Sequence, residues 1–253
     1  MRQDERGPFV QALERAREAA YARGEYVEQE SFVRAGEIRA LAERAAVAPG
    51  ASVLDLCCGV AGPGRFVTRE LGCAYLGVDS SASAVDIARA RAHGLPCRFE
   101  VARVPPLPPG TFDVVLLLET MLAFRDKEAL LDGISGALAA GGRFAFTMEE
   151  GLPLTEAERA RMPDPDTVWL TPLGEMRALL ERAGLVVRWQ DDWSRAHHAT
   201  AESLIDAFAA DATAIAARIG RPALDELLAA HRLWSDWLGT GRVRKIAFVA
   251  EKA

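Results

Sequence analysis

The chain has 253 residues, half of them apolar, and a formal net charge of −6 at pH 7. This length fits one large α/β domain, or one domain with additions. The acidic balance argues against DNA or RNA as a partner, because nucleic-acid binding needs a basic surface. The N-terminus is charged and there is no run of about 20 apolar residues, so we expect a soluble, cytoplasmic protein without a signal peptide or membrane span.

The four cysteines are predicted to be reduced thiols. None of them lies in a repeated C-x-x-C frame, which argues against zinc, and we predict no metal site. Two of the four, Cys57 and Cys58, are adjacent in the chain and are therefore poor disulfide partners.

Two helices are predicted before the first strand. Apolar residues at helical spacing predict the first helix over residues 9–23, with Phe9 on its apolar side. A connector follows at residues 26–32. The second helix continues to about Val47 and ends before Pro49.

The stretch Ser52–Arg65, SVLDLCCGVAGPGR, predicts a buried strand, a tight turn of small residues and the start of a helix. This arrangement lets a nucleotide-like ligand meet bare backbone at the carboxyl end of the strand. The acid at the strand end, Asp55, would repel a pyrophosphate and attract a ligand that carries positive charge. The motif therefore favours a cationic ligand.

Within this stretch, VLDLCCGVAGPG resembles the first motif of class I S-adenosylmethionine-dependent methyltransferases, D-x-G-x-G-x-G. Cys57 stands where the first glycine is usual and Ala61 where the third is, and both residues are small. The resemblance implies a methyl-transferring enzyme that uses S-adenosylmethionine, whose sulfonium and ammonium groups suit nearby acids. It also implies that Asp55, Cys57 and Gly59 bind this cofactor.

A second strand is predicted at 74–78 and ends in Asp79, 20 positions after Gly59. An acid at that offset is placed to accept hydrogen bonds from both ribose hydroxyls of the cofactor. The next residue, Ser80, belongs to the same predicted site.

The third strand is predicted at 97–101. In the resembling family, an acid after this strand contacts the adenine amino group, but here Val101 holds that position. We therefore expect backbone groups and apolar side chains to hold the adenine, with Glu100 and Ala102 as the flanking members of the cofactor site.

The rest of the chain alternates strands and helices. Apolar runs and Gly or Pro punctuation predict strand 112–118, helix 126–139, strand 144–148, helix 172–183, strand 185–190, helices 200–218 and 222–238, and strand 242–251. The resemblance implies an α/β, Rossmann-like, mostly parallel seven-stranded sheet of order 3-2-1-4-5-7-6, with strand 7 antiparallel and helices on both faces. It divides the chain into an N-terminal helical arm or lid (1–48) and a methyltransferase domain (49–253), with residues 194–240 as a helical insertion between strands 6 and 7.

The chemistry that the resemblance implies is an SN2 displacement with a neutral leaving group, so alignment and exclusion of water matter most. Glu119 follows an all-apolar strand and is our first candidate at the methyl-transfer centre. The alternative is that Glu119 orients the cofactor or a loop amide. His197 and His198 are candidate bases if the loop after strand 6 folds over the crevice, and otherwise form a solvated surface pair.

We expect the arm and the insertion to close the crevice over a small or medium-sized substrate with apolar surface, such as a natural-product intermediate. Tyr26, Glu149 and Trp169 are the candidate substrate contacts, although helix-junction packing also explains Tyr26. Trp234 and Trp237, three apart on a helix, fit core packing better than a substrate pocket. We expect a small-molecule substrate, no nucleic acid and no membrane, with monomer and homodimer both open.

Two other interpretations remain open. A nicotinamide-dependent oxidoreductase also uses a strand, a glycine loop and a distal acid, but its motif is G-x-G-x-x-G and its diphosphate would approach Asp55. A non-catalytic relative that binds S-adenosylmethionine as a ligand would explain the replaced glycines at Cys57 and Ala61.

Overall fold

The computed structural model describes residues 11–162 and 165–253. Within these ranges, one sheet is formed by β1 Ser52–Leu56, β2 Ala74–Asp79, β3 Cys97–Val101, β4 Phe112–Leu117, β5 Leu138–Glu150, β6 Leu185–Asp192 and β7 Arg244–Lys252. The helices of the same ranges are α1 Gln11–Ala20, α2 Ala35–Arg44, α3 Gly62–Leu71, α4 Ala82–Arg91, α5 Lys127–Ala137, α6 Glu156–Arg159, α7 Leu173–Arg182, α8 Ser194–Ala210, α9 Ala212–Ile219 and α10 Arg221–Thr240.

The strand order is β3-β2-β1-β4-β5-β7-β6, which confirms the predicted topology. Strands β1 to β5 are joined by parallel pairings, whereas β7 pairs antiparallel with both β5 and β6. Because the carboxyl ends of parallel strands meet at one edge, Asp55, Asp79, Glu119 and Glu149 are brought to the same edge of the sheet.

The central strand β4 is apolar because helices cover both of its faces. Its side chains alternate between two cores. Val115 and Leu117 pack into the core that contains α5 and α7. Val114 and Leu116 pack on the opposite face, into the core that contains α2, α3 and α4. The predicted two-sided covering of the sheet is therefore confirmed.

The segment after β6 differs from its prediction. In place of a loop and two helices, the chain forms α8, α9 and α10, and α8 begins directly after the strand. The carboxylate of Asp192 accepts a hydrogen bond from the backbone N–H of Ser194 (2.9 Å), which turns the chain into the helix. The loop that was expected to carry His197 and His198 is therefore helical.

Two further boundaries differ. The helix predicted at 126–139 is shorter, because α5 ends at Ala137, and the strand predicted at 144–148 is longer, because β5 begins at Leu138 and includes Gly141 and Gly142. The pairing of β4 with β5 shifts register between Phe112 and Val114, so the glycines are accommodated in an irregular part of the ladder. The predicted start of the first helix, with Phe9, lies outside the described residues.

Helices α1, α8, α9 and α10 share an apolar cluster that includes Leu13, Phe208, Ile215 and Leu224. This cluster ties the N-terminal arm to the helices that follow β6. No helix of the described ranges is both long and apolar enough to cross a membrane. All four cysteines are free, as predicted.

Candidate active site

A cavity of about 310 Å³, here called the strand-end cavity, opens at the carboxyl ends of β1, β2 and β4. The loop after β1 and the connector between α1 and α2 form its walls. The acids that line it are Glu28, Glu30, Asp55, Asp79 and Glu119. No lysine or arginine of the described residues lines it. The cavity therefore suits a cation with hydroxyl groups and disfavours a diphosphate.

The loop after β1 turns the chain sharply, and alternate residues in it have a left-handed backbone conformation. Cys57, Gly59 and Ala61 have φ angles of 58°, 55° and 56°. A residue with a Cβ costs about 1–2 kcal/mol in this conformation, which is the physical reason that glycine is usual at such positions. The backbone N–H of Gly59 donates to Asp79 Oδ2 (2.9 Å), so the loop is fastened to the end of β2.

The two glycines that open α3 make room for other groups. A Cβ at Gly62 would lie 2.0 Å from the carbonyl oxygen of Val27, so the connector crosses directly over this glycine. A Cβ at Gly64 would lie 2.2 Å from the ring of Tyr75. That ring is placed so that the Tyr75 hydroxyl donates to Asp55 Oδ2 (2.5 Å). Both glycines therefore shape the cavity indirectly.

Asp55 is buried at the bottom of the cavity, with 3% of its surface exposed. Burial foremost, opposed by the Tyr75 hydrogen bond and assisted by the charge of Asp79, raises the pKa of Asp55 to about 7. At neutral pH Asp55 is thus only partly ionised. A cation placed beside it would favour the carboxylate form.

Asp79 is half-buried and its two oxygens accept hydrogen bonds from the backbone N–H groups of Gly59 (2.9 Å) and Ser81 (2.8 Å). These bonds fix the carboxylate at the cavity wall. The other residues predicted near it, Ser80, Glu100 and Ala102, do not line the strand-end cavity. Ser80 and Glu100 are exposed, and Ala102 packs against the core while its N–H donates to the Asp79 carbonyl oxygen (3.0 Å).

The connector between α1 and α2 closes the strand-end cavity. The buried side chain of Gln29 holds its shape by accepting from Val27 N–H (2.6 Å) and donating to the carbonyl oxygen of Val33 (2.7 Å). Glu28 accepts hydrogen bonds from Arg65 of α3 (2.6 Å) and from Arg91 of α4. Burial alone would raise the pKa of Glu28, but these two guanidinium groups outweigh it and lower the pKa. We call Glu28, Arg65 and Arg91 the Glu28 latch.

A second cavity of about 380 Å³, here called the helix-side cavity, lies beside the first. The two cavities share Glu30, Ser31 and Glu119 in their walls. Apolar and aromatic side chains dominate the rest of the helix-side cavity: Phe32, Leu122, Met162, Val168, Trp234 and Leu238. Glu119 therefore stands at the boundary between an acidic and an apolar compartment.

A buried ion network lies at this boundary. Lys245 of β7, with 2% of its surface exposed, forms ion pairs with Glu119 (2.8 Å) and with Glu149. We call these three residues the Lys245 network. Burial lowers the pKa of Lys245, but the two carboxylates outweigh it and keep the amine protonated. Burial raises the pKa of Glu119, but Lys245 foremost lowers it below its usual value.

The backbone at Glu119 is also held in place. Glu119 has a φ of 62°, a conformation that costs energy for a residue with a side chain. Its N–H donates to the Thr147 hydroxyl oxygen (2.7 Å), and that hydroxyl donates to Glu119 Oε1 (2.8 Å). On its other side, Glu119 Oε2 lies 3.9 Å from His197 Nδ1, and His197 Nε2 lies 3.2 Å from Glu37 Oε2.

The two histidines differ in position. His197 is completely buried on α8, next to Glu37 and Glu119. The alternative prediction of a solvated surface histidine is therefore wrong for this residue. The ring of His198 packs between α8 and α10, where its Nδ1 lies 3.1 Å from the Ser235 hydroxyl. Neither histidine is among the described residues that line the two cavities.

Two candidate substrate contacts also lie outside the two cavities. Tyr26 lines a separate polar cavity with residues of α1, α3 and α4. Trp169 is held between the guanidinium groups of Arg125 (4.9 Å) and Arg159 (4.8 Å). The third candidate, Glu149, does line the helix-side cavity.

Sequence reasoning did not select Lys245, Tyr75 or Glu28 as members of the site. The signal for Lys245 was available, because a lysine directly before the apolar run IAFVA must place its charge in or next to the core. Tyr75 and Glu28 carry no comparable local signal, since their roles depend on chain crossings.

The sequence matches a family described as "Methyltransferase domain" over residues 53–142. It is 32% identical over 128 residues to phosphoethanolamine N-methyltransferase 1 of Arabidopsis thaliana, covering 48% of this chain and 26% of that protein. It is 28% identical over 160 residues to ajmaline N-methyltransferase of Rauvolfia serpentina, covering 57% of this chain and 55% of that protein. The chain thus spans between about a quarter and about half the length of these relatives.

Among solved structures, the fold is similar to Haemonchus contortus phosphoethanolamine N-methyltransferase 2 in complex with phosphomonomethylethanolamine and S-adenosylhomocysteine. The TM-score is 0.81 at 18% identity, and the match covers 97% of this chain and 58% of that chain. Residues 53–142 are thus similar to the methyltransferase-domain family, and the strand order together with the structural match shows that the chain has the fold of the class I S-adenosylmethionine-dependent methyltransferases.

Proposed function

We propose that this chain transfers a methyl group from S-adenosylmethionine to a small-molecule acceptor. The observation that carries the proposal is the meeting of an acidic cavity and an apolar cavity at a shared wall that contains Glu119, with Glu30 and Ser31. The methyltransferase domain match and the N-methyltransferase relatives support it.

The strand-end cavity fits S-adenosylmethionine by the chemistry of its donors and acceptors. Five carboxylates line it without a lysine or arginine among the described residues, which favours a sulfonium and an ammonium over a diphosphate. Asp79 would accept from the ribose hydroxyls, while Asp55 and Glu119 would face positively charged parts of the ligand. When bound, S-adenosylmethionine supplies a methyl group on a positively charged sulfur.

The chain's own contribution is alignment and the exclusion of water. The Glu28 latch keeps the connector over the strand-end cavity, so the bound ligand is covered. The apolar wall of the helix-side cavity would hold the body of the acceptor. Glu119 remains a carboxylate at the boundary because Lys245 lies beside it.

The proposal includes the division of the chain. Residues 1–48 would act as a lid, and residues 49–253 as the methyltransferase domain with 194–240 as an insertion. Two contacts support this division: the connector lines the strand-end cavity, and α10 lines the helix-side cavity with Trp234.

The first experiment compares S-adenosylhomocysteine with NADH by isothermal titration calorimetry. We expect one S-adenosylhomocysteine to bind per chain and NADH not to bind. Tighter binding of NADH than of S-adenosylhomocysteine would contradict the proposal and support the oxidoreductase interpretation.

The second experiment follows S-adenosylhomocysteine formation by mass spectrometry across a panel of small amines, phenols and carboxylic acids. Glu119→Gln should lower turnover more than it lowers the affinity for S-adenosylhomocysteine. Binding without turnover for every acceptor would favour the interpretation as a non-catalytic binding protein.

A further inference from the structure

One carboxylate oxygen of Glu149, a residue in the wall of the helix-side cavity, has no hydrogen-bond partner among the described residues. The residue is 8% exposed and lines that cavity. Its Oε1 pairs with Lys245, whereas its Oε2 is buried and has no hydrogen-bond partner among the described residues. Because a buried carboxylate oxygen without a donor is unfavourable, this atom points to a ligand that brings an N–H or O–H group.

The charges around Glu149 favour a cationic donor over a neutral one. Glu119 and Glu149 share one ammonium group, that of Lys245. The third carboxylate in the wall, Glu30, is paired with Arg17 (3.2 Å). Lys127 of α5 also acts on Glu149 at longer range, but its ammonium group donates to the carbonyl oxygens of Phe124 and Trp169.

One oxygen of the other acid at the boundary is already engaged. Glu119 Oε1 is bonded to Thr147 and Lys245, whereas its Oε2 lies 3.9 Å from His197 Nδ1, beyond hydrogen-bond distance. Of these two acids, Glu149 is the one with a buried oxygen that has no hydrogen-bond partner among the described residues. Burial raises the pKa of Glu149, and so does the neighbouring charge of Glu119, while Lys245 acts in the opposite direction. A carboxyl group with a raised pKa is a better proton acceptor than an ordinary surface glutamate.

The aromatic side chains of the cavity fit the same ligand. Phe32 and Trp234 line it, and aromatic faces attract cations at short range. The wall holds three glutamates, Glu30, Glu119 and Glu149, against the single ammonium group of Lys245, so a carboxylate ligand would meet more negative than positive charge.

We propose that the acceptor is an amine with an apolar body and that Glu149 binds its nitrogen and takes its proton. This inference rests on the proposed function, since it assigns the acceptor of that reaction. The bound ammonium first gives one N–H proton to the Glu149 carboxylate, which frees the lone pair of the nitrogen. The nitrogen then forms a bond to the methyl carbon, the carbon–sulfur bond breaks with its electron pair left on the sulfur, and the product is the N-methylated ammonium. Atoms and charge balance without a further reactant.

The test is calorimetry with matched ligands in the presence of saturating S-adenosylhomocysteine. Three series share an apolar body and differ in the polar group: indolyl-ethyl, phenyl-ethyl and octyl, each as the amine, the alcohol and the carboxylate. We expect the amine to bind at least about tenfold more tightly than its alcohol and carboxylate in one or more series. Equal affinity within every series, tighter binding of a carboxylate, or no binding at all would overturn the proposal.

Glu149→Gln is the matching variant, and Glu150→Gln is its control. Glu150 pairs with Arg244 and accepts from Leu173 N–H, away from the helix-side cavity. We expect Glu149→Gln to reduce the amine preference to within about threefold and Glu150→Gln to keep it. If Glu149→Gln still prefers the amine over the alcohol and the carboxylate, the proposal is contradicted. If this variant does not fold, the comparison of amine, alcohol and carboxylate binding to the wild-type protein decides the question. S-adenosylhomocysteine should bind all three proteins, so its failure to bind would instead count against the proposed function.

Discussion

The strand-end cavity and the helix-side cavity are built from different kinds of residue. The first consists mainly of strand ends and a tight loop, with the connector between α1 and α2 as one wall, and backbone groups fix its Asp79 carboxylate, as Gly59 does. The second joins a connector, the end of β5, strand β7 and helix α10, which are far apart in the chain. We call the strand-end cavity, the proposed site of the methyl donor, the donor side, and the helix-side cavity, the proposed site of the methyl acceptor, the acceptor side. Local sequence therefore specifies most of the donor side, whereas tertiary packing specifies the acceptor side.

The largest expected effect is at the acceptor side. Lys245→Met leaves Glu119 and Glu149 buried without their shared cation, which should lower the free energy of unfolding by about 3–5 kcal/mol. Urea unfolding measures this difference. Adding Glu149→Gln should recover part of the loss.

Lys252→Met is the matched control in the same strand, because Lys252 donates to the carbonyl oxygen of Leu138 and not to a carboxylate. Its expected cost is below about 1 kcal/mol. If Lys245→Met were equally mild, the Lys245 network would not be the ionic centre of the acceptor side.

The second prediction concerns the donor side. Asp79→Ala should weaken binding of S-adenosylhomocysteine by about 1–3 kcal/mol, because it removes an acceptor for the ribose hydroxyls and frees the Gly59 loop. Calorimetry gives the affinity. Asp113→Ala, which removes a carboxylate bonded to Ser52 at the opposite end of the strands, should leave it unchanged. Equal effects of the two variants would contradict the assignment of Asp79.

The family resemblance implied the strand order, which the structure confirms. Local patterns placed Asp55, Asp79 and Glu119 at strand ends, which meet at one edge of the sheet and line the strand-end cavity. Ser80, Glu100 and Ala102, predicted for the same site, do not line this cavity. The sequence did not predict that Tyr75 would donate to Asp55, because this contact depends on the space left by Gly64 in another element.

The acceptor side was predicted in part. Glu149 was selected from its place after a strand, and it lines the helix-side cavity. Tyr26, Trp169 and His198 were selected from residue type and from segments that were expected to cover the crevice, and none of them lines the two cavities. The amino-acid composition of α8 and α10 does not determine which face of each helix lines a cavity and which face packs on the other helix.

The third prediction uses the pH dependence of stability. Asp55 keeps its proton in the folded state up to a pKa of about 7, whereas its usual pKa is 3.8. Its contribution to stability is therefore complete below 3.8 and is lost as the pH rises to about 7. Asp55→Asn has no carboxyl group to ionise, so its stability does not fall with pH in this way. The free energy of unfolding of the variant minus that of the wild type should therefore be about 2 kcal/mol larger at about pH 8 than at about pH 5. Urea unfolding of both proteins at the two pH values gives this change, and a constant difference would show that Asp55 ionises normally.

The smallest expected effect is at the lid. Glu28→Gln weakens the Glu28 latch, so S-adenosylhomocysteine should dissociate faster by about threefold to tenfold, or about 1 kcal/mol. Stopped-flow displacement measures this rate. Glu70→Gln removes a surface pair with Arg39 and should have no effect. An unchanged rate in Glu28→Gln would mean that the connector does not control release.

The most direct test of the account is a crystal structure with S-adenosylhomocysteine. The account predicts that the ribose hydroxyls lie within hydrogen-bond distance of Asp79 and that the sulfur atom faces the boundary at Glu119, toward the helix-side cavity. A nucleoside bound elsewhere, or a sulfur atom that faces away from that boundary, would contradict it.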